Sequence, residues 1–167
     1  MAMLAQGQEP KRDTSTPKGG WIPPTADELK KVEAAIPAEL PTNPKRDRKL
    51  LVYSLSHGFK HNSRLIGEEM LKLVEQKTSA FALTINNDST QWTSSYLKQF
   101  DAIAVLNATS LHNGFKGGNR QAFLDFVYEG GGLFGCHAAT DGGKKWWPEY
   151  SELWGGAFGG HPWGKTG

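Results

Sequence analysis

From Lys49 onward the chain alternates short apolar runs with longer stretches of helical spacing, and this alternation restricts the fold more than any other feature. The runs Leu50–Leu55, Ala80–Ile85, Ala102–Asn107 and Gly132–Cys136 are too short for helices and are apolar on both sides, as strands covered on both faces must be. Between them, residues 62–77 place Ile66, Met70, Leu73 and Val74 on one helical face, and residues 119–129 do the same with Phe123, Phe126 and Val127. Trp92–Gln99 reads as a short helix or turn, and Gly130 suits a left-handed helix end. Strands separated by helices mean βαβ units and a parallel sheet. The pattern therefore predicts an α/β, flavodoxin-like fold with helices on both faces and strand order 2-1-3-4.

The preceding segment is of another kind. Residues 1–24 are rich in Pro, Gly, Lys, Ser and Thr with almost no apolar period, and read as a disordered leader. Residues 25–48 read as an accessory helix and a charged linker, and residues 49–167 as the α/β domain. Thr25 and Glu28 have capping-box spacing, Leu29, Val32 and Ile36 share a face, and Pro37 ends the helix. The apolar run at Met1–Ala5 is too short for a signal-peptide core. As it stands the sequence reads as soluble and cytoplasmic, or as periplasmic or secreted if a signal lies upstream.

Charge and cysteine content exclude several functions. Residues 1–49 hold 9 Lys/Arg against 7 Asp/Glu, and residues 50–167 hold 10 against 10, so the domain lacks the excess that phosphate neutralisation by a nucleic-acid binder requires. Nothing approaches eighteen consecutive apolar residues, so no membrane span is expected. The single Cys136 excludes an internal disulfide and a multi-cysteine zinc site. Gly130–Gly135 matches a dinucleotide fingerprint literally, but these glycines close a helix and open a strand, the reverse of the required order. At the end of its strand Cys136 reads as a small buried residue, with His137 pointing to the opposite side.

Ligands of such sheets bind outside the carboxyl ends of the strands, where the strand order switches. His57 and His61 follow the first strand, His112 the third and His137 the fourth, with His161 further on in Gly160-His-Pro162. Residues 146–163 carry six aromatics in eighteen positions against a chain average of 11%, a loop suited to the apolar faces of sugar rings. Trp154 and Phe158 are expected to pack a cap, whereas Trp146 and Trp147, beside Lys144 and Lys145, are expected to be exposed.

Three motifs in order, Gly58-Phe-Lys-His61, Gly130-Gly-Gly-Leu-Phe-Gly-Cys-His-Ala-Ala-Thr-Asp141 and Gly155-Gly-Ala-Phe-Gly-Gly-His-Pro162, resemble the ThuA-like (trehalose utilisation) domain over about residues 49–167. The resemblance implies a class I glutamine amidotransferase-like fold and a role in bacterial sugar or keto-sugar metabolism. It also implies that further strands normally follow the His-Pro motif, so that this chain is a truncated domain with an open sheet edge. The amidotransferase elbow position is filled by His137, Cys136 lies one residue early, and no histidine is followed two residues on by Glu, so glutamine hydrolysis is not expected. The resemblance carries His61, His137 and His161 as recurring histidines; taken with the strand-end and aromatic-loop readings, the candidates are His137, His61 and Asp141 as catalytic groups and His161, His112, Trp146 and Trp147 as substrate-binding groups. Two versions stay open. Either His61, His137 and His161 hold a divalent metal with Asp141 beside it, or His137 works as a general base. The partner is then a small sugar or keto-sugar, acted on by a hydrolase or isomerase. The alternative is a non-catalytic carbohydrate-binding or accessory domain.

Overall fold

The computed structural model describes residues 22–42, 44–142 and 144–162. In chain order the elements are α1 (Ala26–Ala35), β1 (Lys49–Tyr53), α2 (Ser63–Thr78), β2 (Ala82–Ile85), α3 (Ser94–Leu97), β3 (Ala102–Leu106), α4 (Gly118–Tyr128), β4 (Gly132–Cys136) and α5 (Pro148–Leu153). The strands pair in parallel in the order β2-β1-β3-β4, which is the predicted α/β topology. Every strand therefore ends on the same rim. The expected leader lies outside the described residues as far as Trp21.

Side-chain alternation along the strands builds two unequal cores. Leu51, Tyr53, Ile103 and Val105 face the layer of α3, α4 and α5, where Trp92, Phe115, Phe123, Trp147 and Tyr150 are all fully buried. Leu50, Val52, Ala104 and Leu106 face α2 through Leu71. The first core is aromatic, with ring centroids 4.8–6.1 Å apart around Phe123 and Trp147. Each such ring buries roughly 150–250 Å², on the order of 4–6 kcal/mol of gross transfer energy. This core dominates folding.

α5 was not evident in the sequence, where its flanking glycines suggest a loop. Trp147, Tyr150 and Trp154 follow helical spacing, Pro148 occupies the first turn, and the two tryptophans bracket the buried Tyr150. α1 has the expected capping box, the Thr25 amide donating to Glu28 Oε2 at 2.8 Å and the Glu28 amide to Thr25 Oγ1 at 3.3 Å. It packs on α2 outside the sheet, Ile36 is buried, and Lys77 Nζ donates to the carbonyls of Glu33 and Ile36 at 2.8 and 3.2 Å.

One expectation is overturned at the sheet edge. Cys136 is exposed, not buried. The register pairs Leu106 with Cys136 and Ala104 with Phe134, which puts both β4 side chains on the α2 face. α2 packs over β2 and β3, and Phe134 remains 42% exposed beside Cys136. Native protein treated with iodoacetamide is therefore expected to be modified at Cys136 within a few-fold of the rate in denaturant. Strong protection in the native state, read by mass spectrometry, would refute this placement.

Candidate functional site

The rim is assembled by joining the loop after β1 to the loop after β3. Ser56 Oγ donates to the Asn107 carbonyl at 2.9 Å and accepts from the Thr109 amide at 3.2 Å. The His57 amide donates to the Thr109 carbonyl at 2.9 Å, and Thr109 Oγ1 donates to the Phe59 carbonyl at 2.8 Å. The loops approach so closely that a Cβ on Gly58 would stand 2.6 Å from Ser110 Oγ. A glycine in Gly58-Phe-Lys-His61 is thus a packing requirement, and it delivers His61 to the crevice between β1 and β3.

Beneath this loop lies a buried polar network that sequence reading missed. The Ser54 and Leu55 amides donate to Asn87 Oδ1 at 2.7 and 3.0 Å, while Ser54 Oγ donates to Glu68 and accepts from Arg64 Nε at 3.0 Å. Arg64 and Glu68 are paired at 2.8 Å and nearly fully buried. The available signal was their i, i+4, i+7 spacing with Leu71, two charges on an otherwise core-facing stripe. Asn107 at the end of β3 is a second miss. Its backbone is left-handed at φ 49°, Nδ2 donates to Ser63 Oγ at 3.1 Å, and Oδ1 is buried without a partner among the described residues.

His137 leaves β4 on a sharp turn. Its φ of +53° is left-handed, a conformation that costs a non-glycine residue about 1–2 kcal/mol. The turn folds onto Gly135, where a Cβ would stand 2.5 Å from Ala139 Cβ and 2.6 Å from Trp154, and Tyr150 braces it by donating to the Ala139 carbonyl at 2.7 Å. Held this way, the His137 ring meets the His61 ring edge-on, with centroids 4.4 Å apart and planes at 87°. The His61 ring also contacts Phe59 at 4.9 Å. At position 137, glycine is expected to be about 1 kcal/mol more stable than alanine, since both lack the imidazole and only alanine keeps the left-handed cost. Thermal unfolding of H137G and H137A measures the difference; equal midpoints would show that the turn is unstrained.

The electrostatics of the pair follow from burial and neighbours. Burial first, and then the charges of His137 and His161, hold the His61 imidazole below its ordinary range, while Asp141 acts in the opposite sense. Burial pushes the Asp141 carboxyl up, against the Ser110 amide, which donates to Oδ2 at 3.3 Å, and against the charges of His112 and His61. The structure therefore gathers His61, His137 and Asp141, with His161 in electrostatic reach of His61. His161 itself is exposed, with its ring on Phe158 at 5.0 Å.

The remaining expected residues divide. His112 is half-buried, with Nδ1 donating to the Gly142 carbonyl at 3.1 Å and its ring stacked on Trp146 at 4.8 Å. Trp146 is 59% exposed. Trp147, expected beside it as an exposed sugar platform, is fully buried instead. As the residue preceding α5 it turns into the aromatic core, between Phe115, Phe123 and Tyr150 with the Arg120 guanidinium over its ring. Of two adjacent tryptophans only one side chain reaches the core, and the sequence does not say which. His57 is tied elsewhere: its Nε2 shares a hydrogen bond of 2.8 Å with the buried Tyr53 hydroxyl. Trp163 lies outside the described residues.

Among the described residues, no group of three His, Cys, Asp or Glu side chains is placed to hold a metal ion. A separate apolar groove of about 380 Å³ lies between Leu71, Phe81 and Phe134, with Arg48 and Asp101 at its edge. Its lining includes Lys49, Ala102 and Asp101, at the amino ends of β1 and β3, so it is remote from the histidines.

A family model described as ThuA, trehalose utilisation, matches residues 49–167. The crystal structure of a ThuA-like protein from Bacteroides uniformis is similar, with a TM-score of 0.53 and 25% sequence identity over 70% of this chain. The match covers 48% of that protein, so the chain spans about half its length. No curated protein matches the chain significantly.

Proposed function

Because the chain belongs to the ThuA, trehalose utilisation, family, we propose that it acts on a sugar or keto-sugar by proton transfer between His61 and His137. The observation that carries this reading is the edge contact of those two imidazoles at the carboxyl rim, with Asp141 beside them. A positive charge on the His137 ring disfavours one on His61, so the two rings favour being charged one at a time. His61, kept neutral by its surroundings, serves as the base and takes a proton from a sugar hydroxyl or from carbon next to a carbonyl. His137, on the more exposed turn, returns a proton to oxygen. Asp141 steadies the His61 ring when it becomes charged. The pair supplies two imidazole nitrogens, too few alone for the three protein ligands usual at a catalytic metal, so acid–base work is preferred to metal work. A Cys-based amidotransfer is not proposed, since the turn position is occupied by His137.

A second reading, sugar binding without turnover, is favoured by the exposed Trp146. One experiment separates the two. The chain is incubated with aldoses, ketoses, keto-sugars and disaccharides and followed by proton NMR. Turnover that disappears in H61Q and H137Q supports the enzyme, whereas saturable line broadening with no product supports the binding domain. Turnover unaffected in both variants would remove the histidine pair from the reaction.

A further inference from the structure

We infer that the basic rim around Trp146 and His112 is a subsite for a monosaccharide bearing an anionic group, a phosphate or a carboxylate. This rests on the sugar reading above and gives it a substrate class.

The platform is built before any ligand arrives. Arg120 donates through Nη1 to the Trp146 carbonyl at 2.9 Å and through Nη2 to the carbonyls of His112 and Phe115 at 3.4 and 3.3 Å. The His112 amide and Nδ1 both bond the Gly142 carbonyl, at 3.2 and 3.1 Å. The Trp146 indole is thus fixed at its backbone and stacked on His112 with planes at 13°, yet remains largely in solvent. A flat indole presented in this way matches the C–H face of a sugar ring.

The charge around it is one-sided. Lys145 Nζ stands 5.9 Å from the Trp146 ring centroid. Burial first, and then the charges of His112 and Lys116, lower the affinity of His57 for a proton, so Lys116 is within electrostatic reach of the same loops. Among the described residues, Arg120, Lys116 and Lys145 pair with no carboxylate, although the domain as a whole is balanced. By contrast, Arg46 and Arg48 are matched by Asp101 and Lys72 by Glu69. Asp141 reaches this rim as well, acting on His112 on one side and on His61 on the other. A ligand whose ring lies on Trp146 and whose anion meets Lys116 and Lys145 therefore presents its remaining atoms toward Asp141 and the histidine pair. Unpaired cations at a rim draw in anionic ligands and discriminate against neutral ones.

The test uses the full chain with glucose, glucose 6-phosphate, glucuronate and inorganic phosphate, measured by calorimetry and by the indole and imidazole NMR signals. At low salt, at least one charged sugar is expected to bind roughly 10-fold or more tightly than glucose, and the advantage should shrink as salt rises. The phosphate and carboxylate arms identify which anion is preferred. In the K116Q/K145Q variant, whose altered side chains lie at the surface, the advantage should vanish while glucose affinity stays the same; W146A should weaken all three sugars. Equal affinity for charged and neutral sugars, an advantage that survives K116Q/K145Q, or phosphate binding as well as its sugar ester independently of Trp146 each overturns the inference. The parent reading fails in a different way, if no sugar of either kind shifts the His61 and His137 signals.

Discussion

Replacing Phe123 with alanine is expected to destabilise the domain by about 3–5 kcal/mol, a large part of the roughly 5–15 kcal/mol available to a protein of this size. Phe123 is fully buried at the centre of the aromatic core. It stacks on Trp92 at 6.1 Å and meets Phe115, Trp147 and Tyr150 at 5.6–5.7 Å. Rings are stiff, so they close poorly over the cavity that truncation leaves, and the lost contacts are not recovered. The indole nitrogens of Trp92 and Trp147 have no hydrogen-bond partner among the described residues, so no hydrogen bond fixes either ring. Urea unfolding followed by tryptophan fluorescence measures the change. Tyr128→Ala, on the same helix but 64% exposed, is the control, and its effect should stay within about 0.5 kcal/mol. A Phe123→Ala loss below about 1 kcal/mol would mean that the aromatic layer is loosely packed.

The contrast between Phe123 and Tyr128 also shows how far the sequence could be read. Strands and helices signalled by periodicity came out at nearly their predicted bounds, because sheet burial on both faces leaves few other places for runs such as Leu50–Leu55 and Ala102–Asn107. Strand order followed from the same logic. The sequence was ambiguous wherever a decision depended on what covers a face. Cys136 has the composition of a buried residue, but its exposure is set by its place on the edge strand and by the reach of α2. Trp146 and Trp147 are identical in type, and only the start of α5 decides that one enters the core while the other stacks on His112. At the rim, the topology placed the histidines on one edge. The contact between His61 and His137, however, depends on a left-handed residue, on hydrogen bonds between loops and on the glycines at 58 and 135, none of which has a periodic signature.

Loss of either His61 or His137 is expected to reduce turnover of the accepted sugar by about 10²–10⁴-fold, the usual contribution of a positioned acid or base. The double variant should be scarcely worse than either single one, since the two rings pass protons as a unit and one without the other leaves the transfer incomplete. The pH profile carries the sharper information. His61 takes up a proton less readily in the folded protein than in the unfolded chain, so below the ordinary imidazole range the unfolded state binds more protons. Stability therefore falls as pH drops through about 6.5 and below, and the acid limb of the rate lies on the low side of that value. Glutamine at 137 removes the neighbouring positive charge while keeping a polar side chain of similar length. One of the influences holding His61 down then disappears, although burial, the larger one, remains. The His61 C2–H titration in H137Q should consequently move part of the way back toward 6.5, accompanied by a parallel shift in any residual acid limb. An unchanged His61 titration in H137Q would show that the rings do not interact in solution, and the proton-transfer pair would have to be abandoned.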